Sequence, residues 1–133
     1  MIGQKEVPSR VGGIEVAVEA LAVRMAARGH EVTLYNCCRR GLRAAERKVK
    51  YKNFKGVHIC EISVPDIRGV SAAWGSIMAT IRAVPEKYDC IHYHAEGSAV
   101  LSFIPHLIGI RTVVTIHGLD WPVSYTHLTL PTT

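Results

Sequence analysis

The chain switches repeatedly between two hydrophobic periods, and the switching predicts its elements. Over 14–28, "IEVAVEALAVRMAAR", apolar side chains recur at 14, 18, 21 and 25, one face of a helix. Glu15 and Glu19 near its start and Arg24 and Arg28 near its end suit the helix dipole, and Gly29 is a C-terminal stop. "EVTLYN" at 31–36 reads as a short strand and "VHICEISV" at 57–64 as a second. The spacing predicts a helix over 70–84, ended by Pro85, with Trp74 filling core or an interface. "YDCIHYH" at 88–94 is a strand, and "SAVLSFIPHLIG" at 98–109 a helix kinked or restarted at Pro105. "RTVVTIH" at 111–117 closes the series, with Val113, Val114 and Ile116 giving the β-branched character of a buried parallel strand.

Strands alternating with helices predict an α/β fold, a parallel sheet with helices on both faces. Ligands of such a sheet gather beyond the carboxyl ends of its strands. That rule sets three polar clusters on one rim: "PSRVGG" before the first helix, "HAEG" after the strand ending at His94, and "HGLD" from His117.

Composition narrows the classes. At 133 residues, 48% hydrophobic and 20% charged, the chain has the makings of one folded domain with a core. No apolar run is long enough for a membrane span, and the opening "MIGQKEVPSR" lacks a signal peptide's apolar stretch. The net charge of +5 is concentrated in "CCRRGLRAAERKVKYKNFK". Without regularly spaced stacking aromatics that stretch reads as a solvated loop, exposed from Arg39 to Lys55, so no nucleic-acid partner is expected. Cys37, Cys38, Cys60 and Cys90 show no C-x-x-C spacing and read as reduced structural thiols of a cytosolic protein.

The rim residues allow several chemistries. Gly12 and Gly13 permit close backbone approach, and the helix behind them offers N–H donors and partial positive charge to a phosphate, with Arg10 able to add a charge-assisted contact. The plain alternative is a tight strand-to-helix turn. His92 and His94 share a strand face and with His117 could ligate zinc, or could simply pack. Glu96 and Asp120 could form an acid–base pair for hydrolysis. Neither a G-x-G-x-x-G nor a P-loop sequence occurs, which removes the usual support for dinucleotide and P-loop readings.

Taken together, "GQKEVPSRVGGIEVAVEALAVRMAARGHEVTLYN", "YDCIHYHAEG" and "RTVVTIHGLDW" resemble the N-terminal half of a family 4 glycosyltransferase of the GT-B fold. The nearest likeness is to bacterial rhamnosyltransferase-like enzymes that open with G-x-x-x-x-P-x-x-x-G-G-x-E, here Gly3, Pro8, Gly12, Gly13 and Glu15. The resemblance implies a Rossmann-like domain on the acceptor side of a retaining enzyme, which moves a sugar from a nucleotide-sugar donor to a glycan or lipid-linked hydroxyl acceptor. It implies that Gly12 and Gly13 face the donor diphosphate and that His117 is catalytic, stabilising the transition state at the donor sugar. It makes Arg10, His94, Glu96 and Asp120 acceptor or sugar contacts, with no metal and no cofactor. Polysaccharide or cell-envelope assembly is the implied setting. The cytoplasm is the expected location, with peripheral contact at the inner face of the plasma membrane as a variant.

Two departures accompany the resemblance. Only Met1 and Ile2 remain of a leading central strand, so its neighbours' edges should be unpaired. Residues 1–121 are expected to form a partial acceptor-side domain, and 122–133, "PVSYTHLTLPTT" from Pro122, a non-homologous tail of sequencing or frame origin. No nucleotide-binding C-terminal domain follows, so the reading is an enzyme fragment inactive alone. The alternative is a stand-alone α/β module that holds a phosphorylated or sugar ligand without turnover.

Overall fold

The structure is a computed structural model and describes residues 1–9, 12–39, 51–67 and 70–117. Helix α1 spans Gly13–Ala27, β1 Thr33–Arg39, β2 Tyr51–Phe54, β3 Val57–Val64, and α2 Val70–Ala83. Strand β4 spans Cys90–His94, α3 Glu96–Ala99, α4 Phe103–Leu107, and β5 Arg111–Thr115. The strands form two ladders, β1-β3-β2 and β4-β5, in which β1–β3 and β4–β5 are parallel and β2–β3 antiparallel.

Residues 1–5 join the two ladders. Ile2 donates to the His92 carbonyl at 2.9 Å and accepts from the His94 N–H at 2.7 Å, a parallel bridge to β4. On the other side Tyr35 N–H donates to Met1 O at 3.1 Å and Cys37 N–H to Lys5 O at 2.8 Å. A regular parallel ladder would have residue 3 donating to Tyr35 O and accepting from Cys37 N–H. Instead the chain bulges at Gly3 and Gln4, and the Gln4 side-chain Nε2 donates to Tyr35 O at 3.1 Å. The edges expected to stand unpaired are therefore bridged: a bulged segment of five residues fills the central slot, with a side chain standing in for a lost backbone donor. Each such bond contributes roughly 1 kcal/mol net, and an orphaned buried carbonyl would cost more.

The pleat of β1 and β3 divides the core between two faces, as alternation requires. Leu34, Val57 and Ile59 meet Val18 and Ala22 of α1 on one face. Tyr35, Cys60 and Ile62 meet Ala79 and Ala83 of α2 on the other, with Ile2, Ile91 and Tyr93 in the same cluster. Helices thus cover both faces of a Rossmann-like α/β sheet, as the periodicity predicts.

Several details differ from the sequence reading. The buried face of α1 is Glu15, Val18 and Ala22, while Leu21 is 37% exposed, because the helix is rotated to carry Glu15 inward. Part of the basic stretch is strand: Lys55 and Gly56, with φ of 49° and 81°, form a tight turn that folds Tyr51–Phe54 back on β3. The helix expected over 98–109 starts at Glu96 and tightens to 3₁₀ at Val100–Ser102, before Pro105. Pro105 lacks the N–H that Leu101 O would accept, so the break falls one turn upstream of the proline. Among the described residues strand β5 pairs on one side only, and Val113, Val114 and Ile116 are 46%, 40% and 54% exposed rather than buried. Trp74 is not core either; it points outward from α2. The segment 122–133 and most of the basic stretch lie outside the described residues.

Gly3 is the tightest point of the central segment. Its φ is +116°, and a β-carbon there would collide with the His94 carbonyl oxygen and approach Ser98 Oγ at 2.7 Å. Gly13, by contrast, has open space where its β-carbon would be. Gly3→Ala is expected to destabilise by about 3 kcal/mol or more, whereas Gly13→Ala should stay within about 1 kcal/mol of the parent. Urea unfolding of the two variants side by side checks this; equal midpoints would mean the central segment does not hold the sheet.

Candidate functional site

Because Ile2–Tyr93, β1–β3 and β4–β5 are all parallel, their carboxyl ends share one edge. Strand β4 ends there at His94, and His117 follows β5 by two residues. The register that pairs His94 with Thr115 brings the two imidazoles together, His94 Nδ1 lying 3.1 Å from His117 Nε2. His94 is buried and His117 exposed, so one ring is fixed inside the fold and the other faces solvent. His92 shares the face of His94, with ring centroids 4.0 Å apart, and its Nε2 meets Thr115 Oγ1 at 2.7 Å.

Burial of His94, reinforced by the neighbouring His92 and His117, holds its pKa down to about 3. Burial, with the N-terminal amine and His117 adding to it, also lowers His92 below its ordinary value. A neutral His94 carries one ring proton. Its Nε2 is buried with no partner, and a lone pair is cheaper to orphan than an N–H. We therefore assign the proton to Nδ1, donating to His117 Nε2. His117 must then carry its own proton on Nδ1, so the buried ring sets the tautomer of the exposed one. Among the described residues no group of three His, Cys, Asp or Glu side chains is arranged to hold a metal ion.

Glu96 follows within two residues and opens α3, its Oε1 buried without a partner. Gly12 and Gly13 stand at the start of α1, where Gly12 has φ +104° and no side chain caps the helix. Gly12 has a structural reason to lack a β-carbon, since the Glu15 carboxylate occupies that space. Glu15 is buried, and its Oε1 accepts from the Lys5 N–H at 3.4 Å, tying the start of α1 to the central segment. Gly13 has no such neighbour and leaves the helix end open. Arg10 and Asp120 lie outside the described residues.

Sequence reasoning missed a cleft of about 590 Å³ on the same edge, between residues 2–6, the ends of β1 and β3, and α2. Gln4, Lys5, Cys37, Ser71 and Ser76 give its walls their polar groups. Gly3 belongs to this cleft and also abuts the His94 carbonyl, so the histidine pair and the cleft are adjacent through one residue. Burial first, then nearby Cys38, pushes the Cys37 thiol up to about 11, so it is a protonated wall and not a nucleophile. No local motif marks this cleft; it arises from the bulge at Gly3–Gln4, which pairing alone reveals.

The His94 assignment has a pH consequence. A histidine neutral in the folded chain but protonated in the unfolded chain below its ordinary value of 6.5 makes unfolding take up protons. Stability should be full above about pH 7 and fall as the pH drops from 6.5 toward 3. Melting temperature against pH for the parent and His94→Asn should show the shallower acid slope in the variant. An imidazole of His94 that titrates near 6.5 by NMR would contradict the assignment.

The Glycosyltransferase Family 4 model matches residues 11–131. No curated protein and no solved structure matches the chain. The family match takes in α1, β4 with its histidines, and β5, and on that footing the chain belongs to glycosyltransferase family 4.

Proposed function

We propose that the chain is the acceptor-side domain of a retaining glycosyltransferase, transferring a hexosyl or rhamnosyl unit from a nucleotide-sugar donor to a hydroxyl acceptor in glycan or cell-envelope assembly. The observation that carries the reading is the His94–His117 contact on the carboxyl edge of a family 4 domain. In this reading the bond between the anomeric carbon and the diphosphate breaks while the acceptor hydroxyl oxygen adds from the same face, its proton passing to the departing diphosphate oxygen. The leaving diphosphate gathers charge, and preorganised N–H groups aimed at it lower the barrier. The open N-terminus of α1 at Gly13 supplies such donors, reinforced by the dipole of a 15-residue helix. His117, with its proton on Nδ1, donates to the reacting sugar. His94 positions it, and Glu96 accepts from a sugar hydroxyl through its unpartnered Oε1.

A second reading has one observation in its favour. The cleft of about 590 Å³ falls within the size range of small-molecule sites and is formed by described residues alone. A stand-alone module could hold a sugar or phosphorylated ligand there without turning it over.

Sugar transfer by the full gene product separates the readings. His117→Ala is expected to lower kcat about a hundredfold with little change in KM, and Gly13→Val to weaken donor use while the protein stays folded. Unchanged kinetics in both variants would remove the assignment, and ligand binding without release of nucleoside diphosphate would favour the binding module.

A further inference from the structure

We propose that β5 and α4 form a self-association surface, on which a second copy of this chain adds its own β5 antiparallel and extends the sheet. This inference does not depend on sugar transfer.

Apolar exposure is concentrated at one end of the fold. Of the fifteen large apolar residues exposed among the described ones, eight lie between 100 and 116. Val100, Phe103, Ile104, Leu107 and Ile108 come from α4 and its flanking turns, with Val100 70% and Leu107 77% exposed. Val113, Val114 and Ile116 come from β5 and the residue just past it. The strand is bare on both faces. Its register sets Val113 beside His92 and Val114 beside Tyr93, which belongs to the core cluster that α2 covers. Successive side chains of a strand point to opposite faces, so one helix laid on the sheet could not cover both valines. Exposure on both faces is what an absent neighbour along the free edge produces.

A second copy fits this edge better than other occupants. The stretch 110–116, "IRTVVTI", holds no proline, glycine or acid, and its one charge, Arg111, stands at the start of the strand. Apart from that arginine, the devices that keep an edge strand from pairing are missing. A two-fold axis through the sheet pairs a strand with its own copy antiparallel. Centred on Val113, that register sets Thr112 opposite Val114 of the copy and Arg111 opposite Thr115, so no like charges meet. The same axis keeps both α4 helices on one face of the joined sheet. Because α4 packs on β5, the two helices come to one seam. The eight exposed side chains leave roughly 800 Å² bare, about one partner's share of a standard interface. An extended peptide added at the edge would satisfy the backbone but leave Val100 and Leu107 uncovered. A lipid surface would cover side chains but give the N–H and C=O groups of the free edge no partners.

The test uses the whole chain. Sedimentation equilibrium should give a reversible dimer, and the β5 amides that do not bond to β4 should gain protection from hydrogen exchange as protein concentration rises. Leu107→Arg puts charge on the α4 seam, and Val113→Lys sets two ammonium groups opposite each other at the two-fold. Each should weaken the dimer about tenfold or more. Circular dichroism of Leu107→Arg should match the parent, because Leu107 is already exposed, which separates loss of the dimer from loss of the fold. The proposal is overturned if the chain is monomeric, if the dimer survives both substitutions, or if it forms without protecting those amides. A monomer whose β5 amides are protected at every concentration would overturn it in favour of the chain's own residues beyond 117.

Discussion

Everything on the carboxyl edge depends on how residues 1–5 fit between β1 and β4. Among the described residues the two ladders share no direct strand pairing, and their registration comes from backbone bonds to Met1, Ile2 and Lys5 and from the Gln4 amide on Tyr35. The fit is close enough that Gly3 must lack a side chain where it meets the His94 carbonyl. The same bulge that costs the ladder its regular bonds opens the cleft beside α2. It also carries Lys5 to the buried Glu15 and so sets where α1 begins. One irregular segment therefore positions the helix end, the cleft and the histidine strand together.

Much of the layout was legible in the residues. The hydrophobic period of 57–64 gave β3 at its observed bounds, and the 70–84 pattern gave α2 to within one residue. The two-residue spacing of His92 and His94 put both rings on one face. Other features depended on tertiary contacts that no local period encodes. Glu15 reads as a first-turn carboxylate suited to the dipole, but only the approach of Lys5 makes its burial favourable. The β-branched run of β5 reads as buried, yet exposure there is decided by what flanks the strand, not by the strand's own residues. The contact between His94 and His117 needs the β4–β5 register, which the sequence does not state.

The proposed chemistry rests on a division of labour between the two rings. A buried imidazole held neutral makes a poor acid or base at ordinary pH but a dependable orienter of its neighbour. The exposed ring keeps one nitrogen committed inward and offers the other outward. The N-terminus of α1 brings donors to the same side of the sheet, an arrangement suited to developing negative charge. Helix α2 contributes differently, as a small-residue inner face that lets the sheet come close.

The most direct test of this account is native-state hydrogen exchange at single-residue resolution. If residues 1–5 weld the two ladders into one cooperative sheet, the amides of Ile2, Tyr35, Cys37 and His94 should exchange only through global unfolding, with the same free energy as amides of β3. Rapid exchange at those four positions, with β1–β3 still protected, would contradict it: the ladders would then be independent and the shared edge would lose its foundation.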